Sequence, residues 1–312
     1  MMTKEKYTGH VLILIVNILF AINITISKSL LPDQISPEGL TLLRMLFASV
    51  MFWITSLFTT REHVTRKDLG LLFLCSMTGI ALNQGLFLFG LSQTSPIDAS
   101  IISTASPIFV MVLAAIVLKE PITRLKAFGV MLGATGAIAL ILSSIQVATG
   151  QSNMFGNLLC ITSSFSYSIY LVIAKPITQR YSSVTMMKWM FLFAAIVISP
   201  FTYQNLLETP AFHGTISFQN IASILYVLIG ATFIPYLLIP MSLKRIRPTT
   251  MSMYNYIQPM GASTIAIIIG QDTFSIVKLI AAAFVFGGVY MVTQSKSRED
   301  IEKAKEEKNK KK

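Results

Sequence analysis

The side chains that could do chemistry in this chain are uncharged hydrogen-bonding groups set into long apolar runs. The densest group lies in the apolar segment 249–269 and consists of Ser252, Tyr254, Asn255, Tyr256 and Gln258. At helical spacing Tyr254 and Gln258 share one face, and so many polar groups cannot all face an apolar surrounding. Hydroxyl and amide groups of this kind bind small solutes reversibly, so the segment predicts one wall of a binding pocket.

Similar groups in other apolar segments extend this predicted pocket. Ser103 and Ser106 would form a small hydroxylated wall opposite the bulkier polar one. Amides within apolar segments either bond a neighbouring helix or bind solute. Both interpretations stay open for Asn83 and Gln84, whereas Asn17 is expected to bond a neighbouring helix. The full predicted set of solute-contacting residues is Asn83, Gln84, Ser103, Ser106, Tyr167, Tyr170, Tyr236, Tyr254, Asn255 and Gln258.

Two prolines, Pro107 and Pro259, lie near the middle of two apolar segments. A proline inside a helix removes one hydrogen bond and frees the carbonyl four residues back, here those of Ser103 and Asn255. Such a carbonyl is tolerated away from water only where it faces protein or a watery cavity. The prolines predict either packing kinks or hinges beside a cavity, and their placement at equivalent points of a repeat, described below, favours hinges.

Two cations, Arg44 and Lys188, lie clearly inside apolar segments. A cation at the centre of a membrane helix costs roughly 2.5–3.5 kcal/mol on insertion scales, and neither residue is central. Lys188 is near the end of its segment and can extend to the surface. Arg44 is expected to hold a cluster of backbone carbonyls or the carboxylate of a substrate, and both roles stay open.

The residues that most enzymes need do not occur together in this sequence. The three histidines, His10, His63 and His213, are scattered, and the two cysteines, Cys75 and Cys160, are isolated in apolar runs. No nucleophile arrangement, metal-ligand spacing or phosphate-binding loop is present. We therefore expect neither an enzyme nor a metal or cofactor. All 14 acidic residues lie in loops, tails or segment ends, which predicts transport without an intramembrane carboxylate relay.

The composition identifies the lipid bilayer as the solvent of this chain. Hydrophobic residues make up 53% and charged residues 12%, against about 25% charged in a typical soluble domain. The net charge of +11 does not indicate a nucleic-acid partner, because the charges form short clusters between apolar runs and a solvated tail. The partners expected are the bilayer and a small-molecule solute.

Ten apolar segments have about the length that crosses a membrane, and all ten should be helices because lipid cannot bond to the backbone. They are 9–31, 38–59, 69–91, 96–118, 123–143, 155–174, 184–202, 218–242, 249–269 and 275–294. Most of the 25 basic residues lie at the two termini and in the even-numbered loops. The positive-inside rule then predicts a multi-pass plasma (inner) membrane protein with both termini in the cytoplasm.

The sequence repeats itself once. Pro107 and Pro259 are 152 residues apart (259 − 107 = 152), and Pro96 with Pro248 and Glu120 with Asp272 have the same spacing. Five segments per unit make the second copy enter the bilayer from the opposite side. We expect an all-α integral membrane fold with two inverted five-helix repeats, 9–143 and 155–294, followed by a charged cytoplasmic tail, 295–312. Small residues in segments five and ten indicate a scaffold and a possible homodimer face.

With these landmarks, the chain resembles the EamA-type transporters of the drug/metabolite transporter superfamily. The first matching features are Arg44 in Leu-Leu-Arg-Met-Leu-Phe and the motifs Thr94-Ser95-Pro96, Ser106-Pro107 and Leu118-Lys119-Glu120-Pro121-Ile122. They are followed by the glycines at 129, 133 and 136 and by Gly156-Asn157-Leu158-Leu159. The resemblance implies a central cavity lined mainly by segments 1, 3, 4, 6, 8 and 9.

The function expected is secondary transport, most simply export, of small metabolites such as amino acids or related amphipathic solutes by alternating access. The alternatives are an importer or exchanger of another solute class, or a channel or integral-membrane enzyme. Dissimilar polar walls in segments four and nine argue against a channel, which would need a ring of repeated polar groups.

Overall fold

The computed structural model describes residues 4–94, 99, 102–143, 154–209, 217–268 and 275–296. The stretch 144–153, which links the two predicted repeats, and the tail beyond 296 lie outside these residues, as do Pro96, His213 and Asp272.

The described residues are mostly helical, and their helical segments group into ten helices in chain order. Their bounds are α1 (Lys4–Leu30), α2 (Pro37–Leu57), α3 (Arg66–Gln93), α4 (Ser106–Val117), α5 (Arg124–Ser143), α6 (Met154–Ile177), α7 (Ser183–Leu207), α8 (Phe218–Arg245), α9 (248–268) and α10 (Ile276–Gln294). Within the described ranges, seven of them are long and apolar enough to cross a membrane: α1, α2, α3, α6, α7, α8 and α10. The ten predicted spans agree with these helices in order, and the crossing of the other three stays a prediction.

Several helices begin where the sequence supplies an N-cap. The hydroxyl groups of Ser36, Thr65, Ser182 and Ser217 accept from backbone N–H groups at the starts of α2, α3, α7 and α8. These bonds satisfy orphan donors of the first turn, which is why serine and threonine are favoured at helix starts.

The packing of helices is the same in the two halves of the chain. The pairs α2–α7 and α5–α10 join equivalent helices. The pair α3–α6 corresponds to α8–α1, and α4–α6 corresponds to α9–α1. Exchanging the halves therefore maps this set of contacts onto itself.

Two lysines at equivalent positions make the same interaction. Lys28 at the end of α1 donates to the carbonyls of Leu91, Ser92 and Thr94, which end α3. Lys175 near the end of α6 donates to the carbonyls of Leu243, Lys244 and Ile246, which end α8. A cation at a helix C-terminus satisfies orphan carbonyls and interacts favourably with the helix dipole.

Glycines bring α5 and α10 into close contact. A Cβ atom added to Gly288 would lie 2.7 Å from the backbone nitrogen of Gly133, and one added to Gly136 would lie 2.6 Å from the carbonyl oxygen of Ala281. The small residues predicted to form a scaffold face thus pack within the chain. The opposite faces of these helices expose large apolar side chains, among them Phe128, Met131 and Phe286.

The largest apolar cluster of the described residues is built mainly from α1, α2, α3, α6, α7 and α8, with Val110 and Ala114 of α4 and Met251 of α9. A second cluster lies between α5, α9 and α10 around Tyr256, whose hydroxyl donates to the carbonyl of Val130 at 3.1 Å. These clusters hold the helices around a central cavity.

Candidate functional site

Two helices change their hydrogen-bonding pattern at equivalent points. In α3 the segment Met77–Ala81 is π-helical, and in α8 the segment Tyr226–Phe233 is π-helical. Both segments end just before predicted site residues, Asn83 and Gln84 in α3 and Tyr236 in α8. π-Helical turns loosen the regular backbone bonding and occur often at functional sites.

A second pair of irregularities precedes the two prolines. Tyr254–Tyr256 forms a 3₁₀ turn before Pro259, and the backbone N–H of Ala105 bonds to the carbonyl of Ile102 at 3.0 Å before Pro107. Both prolines therefore follow a break in α-helical bonding, as their ring geometry requires. The breaks lie where kinks were predicted, and a hinge role for Pro107 and Pro259 stays a prediction.

These four irregular segments surround a cavity of about 110 Å³, enough for several water molecules or a small solute. Its lining comes from α1, α2, α3, α6, α8, α9 and the residues at the start of α4. The described lining residues are Phe20, Asn23, Ile24, Arg44, Asn83, Gln84, Phe87, Ser103, Ser106, Ser163, Ser164, Tyr167, Tyr236, Asn255 and Gln258.

Eight of the ten predicted solute-contacting residues lie around this one cavity: Asn83, Gln84, Ser103, Ser106, Tyr167, Tyr236, Asn255 and Gln258. The structure brings them together from both halves of the chain. Whether they bind a solute stays a prediction.

The other two predicted residues, Tyr170 and Tyr254, are placed away from the cavity. Tyr170 is fully buried, with its ring packed against Gly79. Tyr254 bonds through its hydroxyl to Nδ1 of His10 at 2.7 Å. Both tyrosines thus lie in contacts between helices, for which their sequence neighbourhood gave no signal.

Some cavity amides are already engaged with neighbouring helices. The side-chain nitrogen of Asn83 donates to Oγ of Ser163 at 3.0 Å, and Ser163 donates back to the carbonyl of Asn83 at 2.8 Å. Gln258 donates to Oδ1 of Asn17 at 2.9 Å, which joins α9 to α1 as expected for Asn17. These bonds fix the lining side chains in place.

Gln84 differs from these amides. It is 3% exposed, and among the described residues none gives its amide a hydrogen bond of ordinary length and angle. The hydroxyl of Tyr236 is close enough to interact with it weakly, but that hydroxyl donates to the carbonyl of Gly79 at 3.2 Å. A buried amide without a strong partner is costly, so this group is available to a ligand.

The two cations within helices have different surroundings. Arg44 is buried at the cavity, where its Nε donates to Oγ1 of Thr232 at 2.7 Å and its Nη2 to the carbonyl of Ala231 at 3.1 Å. Lys188 lies outside the cavity, with its ammonium 5.1 Å from the centre of the Trp53 ring. A cation over an aromatic face is attracted by the ring quadrupole.

The predicted set did not include the apolar lining residues Phe20, Ile24 and Phe87, nor the polar ones Asn23, Ser163 and Ser164. The repeat contained a signal for one of them, because Phe20 is the counterpart of the predicted Tyr167 at the spacing that relates Lys28 to Lys175 (167 − 20 = 147). No such signal marked Ile24 or Phe87 among the many apolar residues.

The described residues hold no group of three metal-ligating side chains, and Cys75 and Cys160 are both buried and not joined in a disulfide. The side chains that line the cavity offer hydrogen bonds, aromatic contacts and one cation, which are groups that can bind a small solute reversibly.

Known proteins resemble this chain over nearly its full length. The uncharacterized transporter YetK of Bacillus subtilis is 24% identical over 85% of this chain and 81% of its own length. A WAT1-related protein of Arabidopsis thaliana is 22% identical over 88% of this chain and 81% of its own. One crystal structure superposes with a TM-score of 0.71 over 93% of this chain and 96% of the other, at 16% identity, which shows a shared fold.

The sequence pattern of the EamA-like transporter family matches the chain twice, over residues 7–142 and 154–294. Together these two matches cover most of the chain, and the relatives above are named as transporters or as WAT1-related proteins. The chain therefore belongs to the EamA-like transporter family, within the drug/metabolite transporter superfamily.

Proposed function

We propose that this member of the family exports small amphipathic metabolites, such as amino acids, by alternating access. The observation that carries the proposal is the pairing of residues around the cavity. Gln84 with Tyr236, Ser103 with Asn255, and Ser106 with Gln258 are counterparts 152 residues apart, and all six line it. A site shared between two equivalent halves can be exposed alternately to either side when the halves move against each other.

Ten spans in two inverted repeats, 9–143 and 155–294, form the architecture of this proposal. The symmetric helix contacts, the paired π-helical segments and the matching lysine caps all support equivalent halves. The odd number of five spans per half inverts the second copy. Membership in a transporter family supports a transporter and not an enzyme.

The protein is a multi-pass membrane protein, and we place it in the plasma membrane with both termini cytoplasmic. The basic residues at the termini and in the even-numbered loops support this orientation. The charged tail, 295–312, then lies on the cytoplasmic side, where it can contact anionic headgroups.

Transport is proposed to proceed without a buried carboxylate relay, hence as facilitated diffusion or exchange. Among the described residues that line the cavity, none is aspartate or glutamate. Proton and sodium coupling commonly use such groups.

A homodimer is proposed through α5 and α10. Their glycine faces are used within the chain, so a partner would meet the opposite faces, which carry exposed residues such as Phe128 and Phe286. Chemical cross-linking in native membranes tests this contact.

The function is tested by export assays in a strain that expresses the protein and is challenged with a panel of toxic amino-acid analogues. Wild type should raise resistance to some analogues and lower their accumulation in cells. The Asn255→Ala and Gln258→Ala variants should lose most of that effect. Thr264→Ala serves as the control, because Thr264 is an exposed residue of the same helix that bonds only to its own backbone.

Three outcomes would count against parts of the proposal. Unchanged export in both variants would show that the solute does not bind against Asn255 and Gln258 of α9. Strict dependence of uptake on a proton gradient in proteoliposomes would contradict transport without a carboxylate relay. A lack of any solute movement would remove the transport proposal itself.

A further inference from the structure

The cavity contains a buried cation whose hydrogen bonding is incomplete. Arg44 is 4% exposed, and its Nε and Nη2 bond to the π-helical part of α8 through Thr232 and Ala231. The remaining amino group, Nη1, has no hydrogen-bond partner among the residues that the structure describes. A guanidinium presents its donors in a rigid planar fork, so the unused group is held in a fixed direction by the bonds on the other side.

The charge of Arg44 is also unbalanced. The ion pairs of the described chain are Lys126 with Glu120 and Arg180 with Asp68, both away from the cavity lining. Arginine stays protonated in proteins, and a buried charge without a counter-ion is strongly unfavourable. An anion that entered the cavity would relieve this cost.

One further side chain with unused donors lines the same cavity. Gln84 of α3 has an amide with no well-formed hydrogen bond, and Tyr236 of α8 is close enough to interact electrostatically with both Gln84 and Arg44. Arg44 of α2 and Gln84 of α3 thus both hold unused donors near Tyr236, whose own hydroxyl proton is donated to Gly79. A carboxylate can accept several such bonds at once, and bonds to a charged acceptor are the strong ones.

The rest of the lining suits the uncharged part of such a molecule. Phe20, Phe87 and Tyr167 supply aromatic surface. An ammonium group would find no acidic partner among the described lining residues, so a zwitterion would bring a charge that the cavity leaves unpaired.

We propose that Arg44 and Gln84 form an anion subsite, next to Tyr236, that binds the free carboxylate of the solute, and that the solute has no compensating ammonium. This inference rests on the proposed function for its meaning as substrate selection. Within the amphipathic metabolites proposed there, it replaces free amino acids by monocarboxylates, including amino acids whose amino group is acylated. Binding itself is measured independently of transport.

The test uses matched pairs of probes that differ only in charge. Acetate, butyrate and N-acetylleucine are compared with acetamide, butyramide and N-acetylleucinamide, and leucine serves as the zwitterion. Thermal stabilisation of the purified full-length protein in detergent reports binding. The acids should bind at least tenfold more tightly than their amides and than leucine. Equal stabilisation by acids and amides, or no stabilisation by any acid, would overturn the proposal.

Variants of Gln84 separate binding from folding. Gln84→Met removes an amide without a strong partner, so the ligand-free protein should be as stable as wild type or more stable, with acid binding weakened several-fold. Gln84→Glu places a carboxylate beside Arg44, so it should stabilise the ligand-free protein at neutral pH and abolish the response to acids. A Gln84→Glu protein that still binds acids as wild type does would contradict the subsite.

Arg44→Lys and Arg44→Gln complete the series, with Lys188→Gln as control for loss of a cation within a helix. Arg44→Gln should lose acid binding, and Lys188→Gln should keep it. Failure of the subsite and failure of the transport proposal can be told apart. Export of leucine analogues without acid binding would support the transport proposal and contradict the anion subsite. Acid binding without any export would support the anion subsite and contradict the transport proposal.

Discussion

At the scale of single residues, the polar groups inside this protein divide into two kinds. Asn17, Asn83 and Gln258 bond to groups on other helices or on their own backbone, and these bonds hold the lining in place. Gln84 and part of Arg44 are left without strong partners beside the cavity. The second kind is the better guide to a ligand, because only groups with unused donors gain free energy when a solute binds.

The lysine caps give a paired prediction at this scale. Lys28→Met and Lys175→Met each remove the donor to three terminal carbonyls, and each should destabilise the protein by about 1–2 kcal/mol. Thermal melting in detergent measures the effect. Two equivalent caps should give similar losses, and the exposed Lys67→Met, on a different helix, should change the melting temperature little. A loss confined to one of the two would contradict their equivalence.

Glu62 lies in the loop between α2 and α3, and its carboxyl group should make the stability of the folded protein depend on pH. Burial alone would raise its pKa, but hydrogen bonds from Thr185 and from the backbone and side chain of Ser182 outweigh burial and hold the pKa below the ordinary value. A carboxyl whose pKa is lowered by folding stabilises the protein above its unfolded pKa and loses that contribution as pH falls through its folded pKa.

At neutral pH the Glu62→Gln variant should therefore be less stable than wild type by about 1 kcal/mol or less in the free energy of unfolding. It should melt at a correspondingly lower temperature. The difference should shrink as the pH falls below the ordinary carboxyl range near 4.5. Melting curves between neutral and acidic pH test this, and a difference that is constant with pH would exclude the ionised carboxylate as the cause.

At the scale of helices, irregular backbone marks the site more clearly than composition does. The π-helical segments of α3 and α8 and the breaks before Pro107 and Pro259 are paired between the halves, and residues beside all four line the cavity. A regular helix presents few backbone groups to a cavity, whereas these segments free carbonyls such as that of Ala231, which then orient side chains such as Arg44.

Helix packing predicts that Gly288 tolerates no side chain. A Cβ atom there would meet backbone atoms of Gly129 and Gly133 at less than 3 Å, so Gly288→Ala should push α5 and α10 apart and destabilise the protein by about 1–3 kcal/mol. Gly287→Ala is the matched control, because its Cβ would meet only Leu132, at 3.6 Å. The control should be neutral or slightly stabilising, since alanine favours helix. Equal melting of both variants would refute this account of the contact.

At the scale of the whole molecule, the symmetry of contacts between the halves is what supports movement of one half against the other. The inverted architecture makes a prediction about sides of the membrane. Reporters fused to the first and last residues should both be active on the cytoplasmic side, and a reporter inserted in the 144–153 linker should report the outer side. Termini on opposite sides would require an odd number of membrane crossings and would exclude the ten-span arrangement.

The sequence alone determined the membrane environment, the helical class, the repeat and most of the residues around the cavity. These follow from apolar length, the spacing of counterparts and the rarity of polar groups in apolar segments, all of which can be read along the chain without knowledge of contacts in space. The tertiary structure alone decided which polar groups remain unused. Tyr254 is engaged by His10 and Asn83 by Ser163, whereas Gln84 is not engaged in this way. The reason is physical: a hydrogen-bond partner on a distant helix is chosen by packing, and spacing along one helix carries no information about it.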